Sequence, residues 1–277
     1  ALTTAGAAVM TTSQVKALTG SQLGALATSA LAALGTDRVQ SLTNDQIKGL
    51  STAAVAALST AQAAALTSAQ LSSLNKVQIS ALTTAQVAAL TTGQAKALSA
   101  ASLMALTTSQ VKALGTSQMN VLTAKQVAAL TTTQVNSVTA SQVAALSTAQ
   151  VAALTTTQLN AASVSLVNAL STGQVAALGT STVQGLSTTV IQTLTSAQVG
   201  AFNTSQVAAL TTAQVVALQT DDFKALSTAQ VRALTTTQLP KIEAEDLLAL
   251  SSTQLSALTT TQFAALTPTQ LIAALTR

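Results

Sequence analysis

Seven acidic and eleven basic side chains are the only ionisable side chains that this 277-residue chain offers for acid–base or metal chemistry. Glu243, Glu245 and Asp246 stand together beside Lys241. Oxygen ligands so grouped could chelate Ca2+, but the run lacks the spacing and glycine turn of a calcium loop. Asp37 and Asp45 lie eight residues apart and could stack or share a cation; the reading adopted is that they are solvated first-turn acids favoured by helix dipoles. Asp221 and Asp222 read the same way. With no His and no Cys, the chain has no imidazole base, thiolate or soft metal ligand. Its serines have no base to activate them. Asn203-Thr204-Ser205 matches a glycosylation sequon, although Asn203 equally suits a helix cap, the role expected here. No catalytic residue, cofactor or metal is therefore assigned, and the chain is not expected to be an enzyme.

Composition narrows the partners as well. Charged residues make up 6% of the chain, against about 25% in ordinary domains. A net charge of +4 spread this thinly makes a weak field. Neither clustered basic residues nor aromatic platforms are present for nucleic acid, which is not an expected partner. No uninterrupted apolar run approaches the roughly 18 residues of a membrane span, so membrane insertion is not expected. No small-molecule substrate is expected. The lack of cysteine leaves the redox compartment open. The first residue is Ala1, and no basic segment leads into an apolar run; this is read as a processed chain or a piece of a longer one.

The elements that would hold these residues are written in a repeat. From Leu2, 34 octads run to Ala273 without insertion or deletion. With the leading Leu labelled a, that position is Leu in 29 octads, and otherwise Met10, Val138, Ala162, Phe202 or Ile242. Position f is apolar in all 34, b is Ser, Thr or Asn in 28, and e is Gln in 24. Position h is small. Position g varies and collects Lys16, Lys48, Lys96, Lys112, Lys224 and Arg232, which mark a solvated outer face.

Ser or Thr at b with Gln three residues later is a capping box: the hydroxyl accepts from the N–H at e, and the Gln side chain accepts from the N–H at b. The a and f residues then stand at N′ and N4, the hydrophobic staple. Every octad thus restarts a helix, which predicts short helices from c to about the next a, six or seven residues each. Pro268 falls at c, the first helical position, where proline is best tolerated. Pro240 falls at g, inside a predicted helix, and 238–246 is read as a local irregularity.

One continuous helix is excluded, because eight residues rotate an apolar stripe by about 80° per octad. A β-solenoid is the alternative fold. The strict period and the Thr and Val content permit it, whereas the capping register, the Ala-rich g and h positions and the scarcity of Gly turns favour helix. The predicted fold is an all-α solenoid, one domain over 1–277. Its short helices are unstable alone and must bury a and f about a common axis. Three or four octads per turn, stacked at about 8–10 Å, would make a rod on the order of 100 Å long.

The unit L-[ST]-T-x-Q-V-x-A, as in LTTAQVAA at Leu82–Ala89 and LTTAQVVA at Leu210–Ala217, resembles the Ala/Thr-rich octapeptide repeats of large secreted or surface adhesin-like proteins of Gram-negative bacteria. The resemblance implies an extracellular stalk, fibre subunit or surface-layer component. The function expected is a structural, non-catalytic rod, filament or sheath element that self-associates or packs on neighbouring repeats. Ice binding through regular Thr and Ala rows, or an adhesin or peptide-binding role, are the alternatives.

Overall fold

The computed structural model describes residues 3–275, and among these every regular element is helical, with no strand. Thirty-three short α-helices and one 3-10 turn follow each other, one per octad. The all-α repeat solenoid is the fold, and the β alternative falls away. The capping box explains why. At Thr83 the N-cap backbone is extended (φ −74°, ψ 158°), its hydroxyl accepts from the Gln86 N–H, and its own N–H donates to Gln86 Oε1 at 2.7 Å. The helix Thr84–Ala89 follows, and Leu90 ends it in extended conformation (φ −59°, ψ 140°) while its N–H donates to the Val87 carbonyl at 3.2 Å. Each a residue therefore closes one helix and leads into the next cap.

The helices are shorter than the sequence suggests. Most have five or six residues, c to g or h, because the a residue is already extended. At Pro268 the proline opens the helix Pro268–Leu275. At Pro240 the octad holds a turn and the 3-10 element Leu239–Lys241 in place of an α-helix. The following helix, Ala244–Ala249, is regular.

The chain forms two compact units, residues 1–146 and 147–277. Within each, a helix packs against the helix three octads on, and one turn of the superhelix takes between three and four octads. The core is the column of a and f side chains. Every f residue from Ala7 to Leu255 is buried, and so is every a residue from Leu34 to Leu266 except the half-buried Ala162. Each buried Leu or Val contributes about 1.5–3 kcal/mol, which supplies what helices of this length lack alone. Positions c, d and g face outward. Where glycines meet, turns approach closely: a Cβ on Gly49 would lie 2.8–2.9 Å from backbone atoms of Gly20.

Candidate functional site

The side chain that recurs with most chemistry is the glutamine at e, and it has two roles. Its Oε1 completes the capping box on its own octad. Its Nε2 reaches across to the end of a helix in the preceding turn. Gln86 Nε2 donates to the carbonyls of Val55 at 2.9 Å and Leu58 at 2.6 Å, 31 and 28 residues earlier. Within each unit the pattern repeats: every e glutamine from Gln46 to Gln142, and from Gln198 to Gln270, donates to the a carbonyl 28 residues before it at 2.5–2.8 Å. Helix ends leave carbonyls without partners, and here an amide from the next turn satisfies them. These glutamines are almost wholly buried, Gln86 to 1% exposure. No buried side-chain N or O among the described residues lacks a partner. The result is a polar seam beside the apolar column.

Departures from glutamine show what the seam requires. Arg38, at e, directs its Nε to the Met10 carbonyl, again 28 residues back. Asp222, also at e, is 2% exposed and keeps the capping role, accepting from the Gln219 N–H at 2.8 Å. A carboxylate cannot donate to the a carbonyl 28 residues before it; Gln219 Nε2, at b, instead donates across the turn to the carbonyl of Gln192, a g residue, at 3.1 Å. Burial pushes the Asp222 carboxyl above its ordinary range; the Gln219 N–H and the Ser196 hydroxyl pull it down, and Asp221 and Asp246 push it up. Asp246, three octads on, accepts from the Thr220 hydroxyl at 2.7 Å. Ser102, at e, sits 2.8 Å from the Ser99 hydroxyl.

The remaining candidates are surface groups. Asp45 pairs with Lys48 at 3.3 Å and Asp221 with Lys224 at 2.7 Å, both exposed i,i+3 pairs worth little in water. Glu243 is the N-cap of Ala244–Ala249 without a side-chain cap bond, and Glu243, Glu245 and Lys241 are exposed while Asp246 is engaged by Thr220. Among the described residues no three acids converge as a metal site. Asn203 caps Thr204–Ala209 and accepts from the Gln206 N–H at 2.9 Å. The g-position cations Lys16, Lys48, Lys96, Lys112, Lys224 and Arg232 are all exposed. An open depression of about 370 Å3 is lined by Thr92, Thr116, Ser117, Asn120, Val121 and Ala145. Beside it, Asn120 Nδ2 donates to the Ala145 carbonyl at 2.9 Å. Among the described residues no helix is long and apolar enough to cross a membrane.

Sequence reasoning found the capping half of each glutamine's role and missed the other half. The one signal present was frequency: a bare capping box accepts Glu or Gln at N3, and Gln fills e in 24 of the 34 octads, as suits a position that uses a donor as well as an acceptor.

The octads match a known repeat model over residues 44–76, 100–132, 182–212, 191–220, 215–240 and 239–277, more than half the chain. The chain belongs to the ALTTAQ repeat family. The stretches between these matches keep the same octad register. No curated protein matches the chain. The ALTTAQ signature spans the seam itself: the leading Leu, the Thr at b and the Gln at e are the staple, cap and inter-turn donor.

Proposed function

We propose that this ALTTAQ repeat chain is a structural, non-catalytic element: an extracellular rod, stalk or sheath segment that spaces or bundles rather than transforms a substrate. The observation that carries this reading is where the polar chemistry goes. The recurring buried amides, together with Arg38 and Asp222, are spent joining their octads to their own caps or to the preceding turn. What faces solvent is a repeating set of Thr, Ser and Ala with scattered cations, poor in the aromatic and arginine anchors that concentrate binding energy. The surface location rests on the likeness to secreted adhesin-like repeats.

Small-angle X-ray scattering of the purified chain tests the reading. A compact globule of this length has a radius of gyration of about 19 Å. A rod on the order of 100 Å, from turns stacked at about 8–10 Å, gives a radius of gyration of about 30 Å. The reading expects the larger value; the smaller one would overturn it.

A further inference from the structure

Two e positions of the second unit carry aspartate in place of glutamine, Asp222 and Asp246, and they fall three octads apart, on helices that pack against each other. The octads around them are tied as elsewhere: Gln214, Gln230, Gln238 and Gln254 donate to the carbonyls of Leu186, Phe202, Leu210 and Leu226 at 2.5–2.7 Å. The Leu194 and Leu218 carbonyls, 28 residues before the two aspartates, accept from nothing among the described residues. Both aspartates reverse the tie. A c hydroxyl 26 residues earlier donates to each: Thr220 to Asp246 Oδ1 at 2.7 Å, and Ser196 to Asp222.

The charges around Asp222 are of one sign. Its helix, Thr220–Ala225, packs between Ser196–Gly200 and Ala244–Ala249. Ser196–Gly200 carries no charged residue, and Ala244–Ala249 carries Glu245 and Asp246. The helix itself carries Asp221 and Lys224, which pair with each other at 2.7 Å. Lys241 and Glu243, both exposed, lead into Ala244–Ala249. Every acid of the second unit thus stands at this one junction of two turns. Asp222 lies at its centre, 2% exposed, and no cation pairs with it among the described residues. Burial above all, helped by Asp221 and Asp246, holds its carboxyl above the ordinary range against the Gln219 N–H and the Ser196 hydroxyl. Ionised, Asp222 is a buried charge facing a second carboxylate across the junction, which is unfavourable. Protonated, it loses that charge, and its O–H supplies the donor that this point of the seam lacks.

We propose that the junction of Thr220–Ala225 and Ala244–Ala249 is a pH-sensitive joint of the solenoid, closed while Asp222 is protonated and opening locally once Asp222 ionises. A raised carboxyl confers stability that is complete below the unfolded carboxylate value and is lost as pH rises through the folded one, so the joint tightens in acid and loosens toward neutral pH. A turn tied by glutamine has nothing to titrate and holds through the same range. The device therefore acts at one place in an otherwise pH-indifferent array.

Amide hydrogen exchange of the full chain, corrected for the intrinsic rate at each pH, tests this. Peptides covering 190–226 and 215–250 should open more as pH rises from acid to neutral. Peptides covering 75–98, whose seam carries Gln78, Gln86 and Gln94, should stay constant. The carboxyl 13C shift of Asp222 gives its own titration midpoint. Opening should rise about tenfold for each pH unit by which that midpoint exceeds an unfolded carboxylate's. Asp222→Asn keeps the size and an acceptor for the Gln219 N–H but cannot ionise, and it should flatten the pH dependence. Opening that is flat with pH, that grows in acid, or that keeps its pH dependence in Asp222→Asn would overturn the proposal. Should Asp222→Asn not fold, the wild type decides alone: an opening midpoint that coincides with the Asp222 carboxyl titration supports the joint, and one that does not overturns it.

Discussion

Replacing Gln86 measures what the second hydrogen-bonding role of the repeat glutamine contributes. Gln86→Ala removes the acceptor for the Thr83 N–H at 2.7 Å and the donor to the Val55 and Leu58 carbonyls at 2.9 and 2.6 Å. Three ordinary hydrogen bonds at about 1 kcal/mol each give a loss of about 3 kcal/mol, and the cost of leaving the buried Leu58 carbonyl without a partner makes that a lower bound. Gln14→Ala is the control. It removes the same capping bond, with the Thr11 N–H at 2.8 Å, at an exposed site with no inter-turn donor bond, for about 1 kcal/mol. The difference of about 2 kcal/mol is roughly a thirtyfold change in local opening. Long repeat arrays depart from two-state unfolding, so amide hydrogen exchange in peptides spanning residues 55–90 is the suitable assay, with those spanning 7–15 for the control. Gln86→Glu separates donor chemistry from packing: it keeps length and acceptor, removes the donor, and should open the same region more than Gln86→Ala at neutral pH, recovering in acid. Equal opening in Gln86→Ala and Gln14→Ala, or a silent Gln86→Glu at neutral pH, would refute the reasoning.

Asp222 supplies a pH dependence of known sign. Its folded pKa is raised, chiefly by burial, so the stability it confers is complete below the unfolded carboxylate value and is lost as pH rises through the folded one. Asp222→Gln restores the repeat and should raise the melting temperature at pH 7 while changing it little in acid; a larger gain in acid would contradict this. Ala54 is an e residue buried to 2% whose octad keeps the Ser51 cap. Ala54→Gln should stabilise by about 0.5–2 kcal/mol, the usual range for consensus repairs, by reaching toward the Leu23 and Leu26 carbonyls; a lower melting temperature would count against it. Gly49→Ala drives a Cβ onto the Gly20 backbone and should cost about 1–3 kcal/mol, read as a lower melting temperature, although Ala is the common residue at h.

What the sequence revealed follows from distance along the chain. Cap and staple are contacts over three to five residues, so Thr83 and Gln86 announce them directly, and the octad register follows. Pro268 marks a helix start for the same reason. The a and f columns were also legible, because only coiling about a shared axis buries both. The inter-turn amide bonds were not, because Gln86 meets Val55 and Leu58 only once the superhelix has gone round. The inter-turn bond from Gln219 to Gln192 was hidden for the same reason. Asp222 read as one more first-turn acid, and only its 2% exposure and its bond from the Gln219 N–H show that it stands in a seam position. The helices came out shorter than expected because the extended backbone at a is set by the following cap.

The central claim, that the e glutamine carried by most octads ties successive turns together, is tested most directly by side-chain amide hydrogen exchange followed by NMR on glutamine-labelled protein. The account predicts two populations: seam amides such as those of Gln86, Gln118 and Gln206 exchanging slowly, and those of Gln14 and Gln22 exchanging as fast as free glutamine. Uniformly fast exchange of all glutamine amides in the folded chain would contradict it.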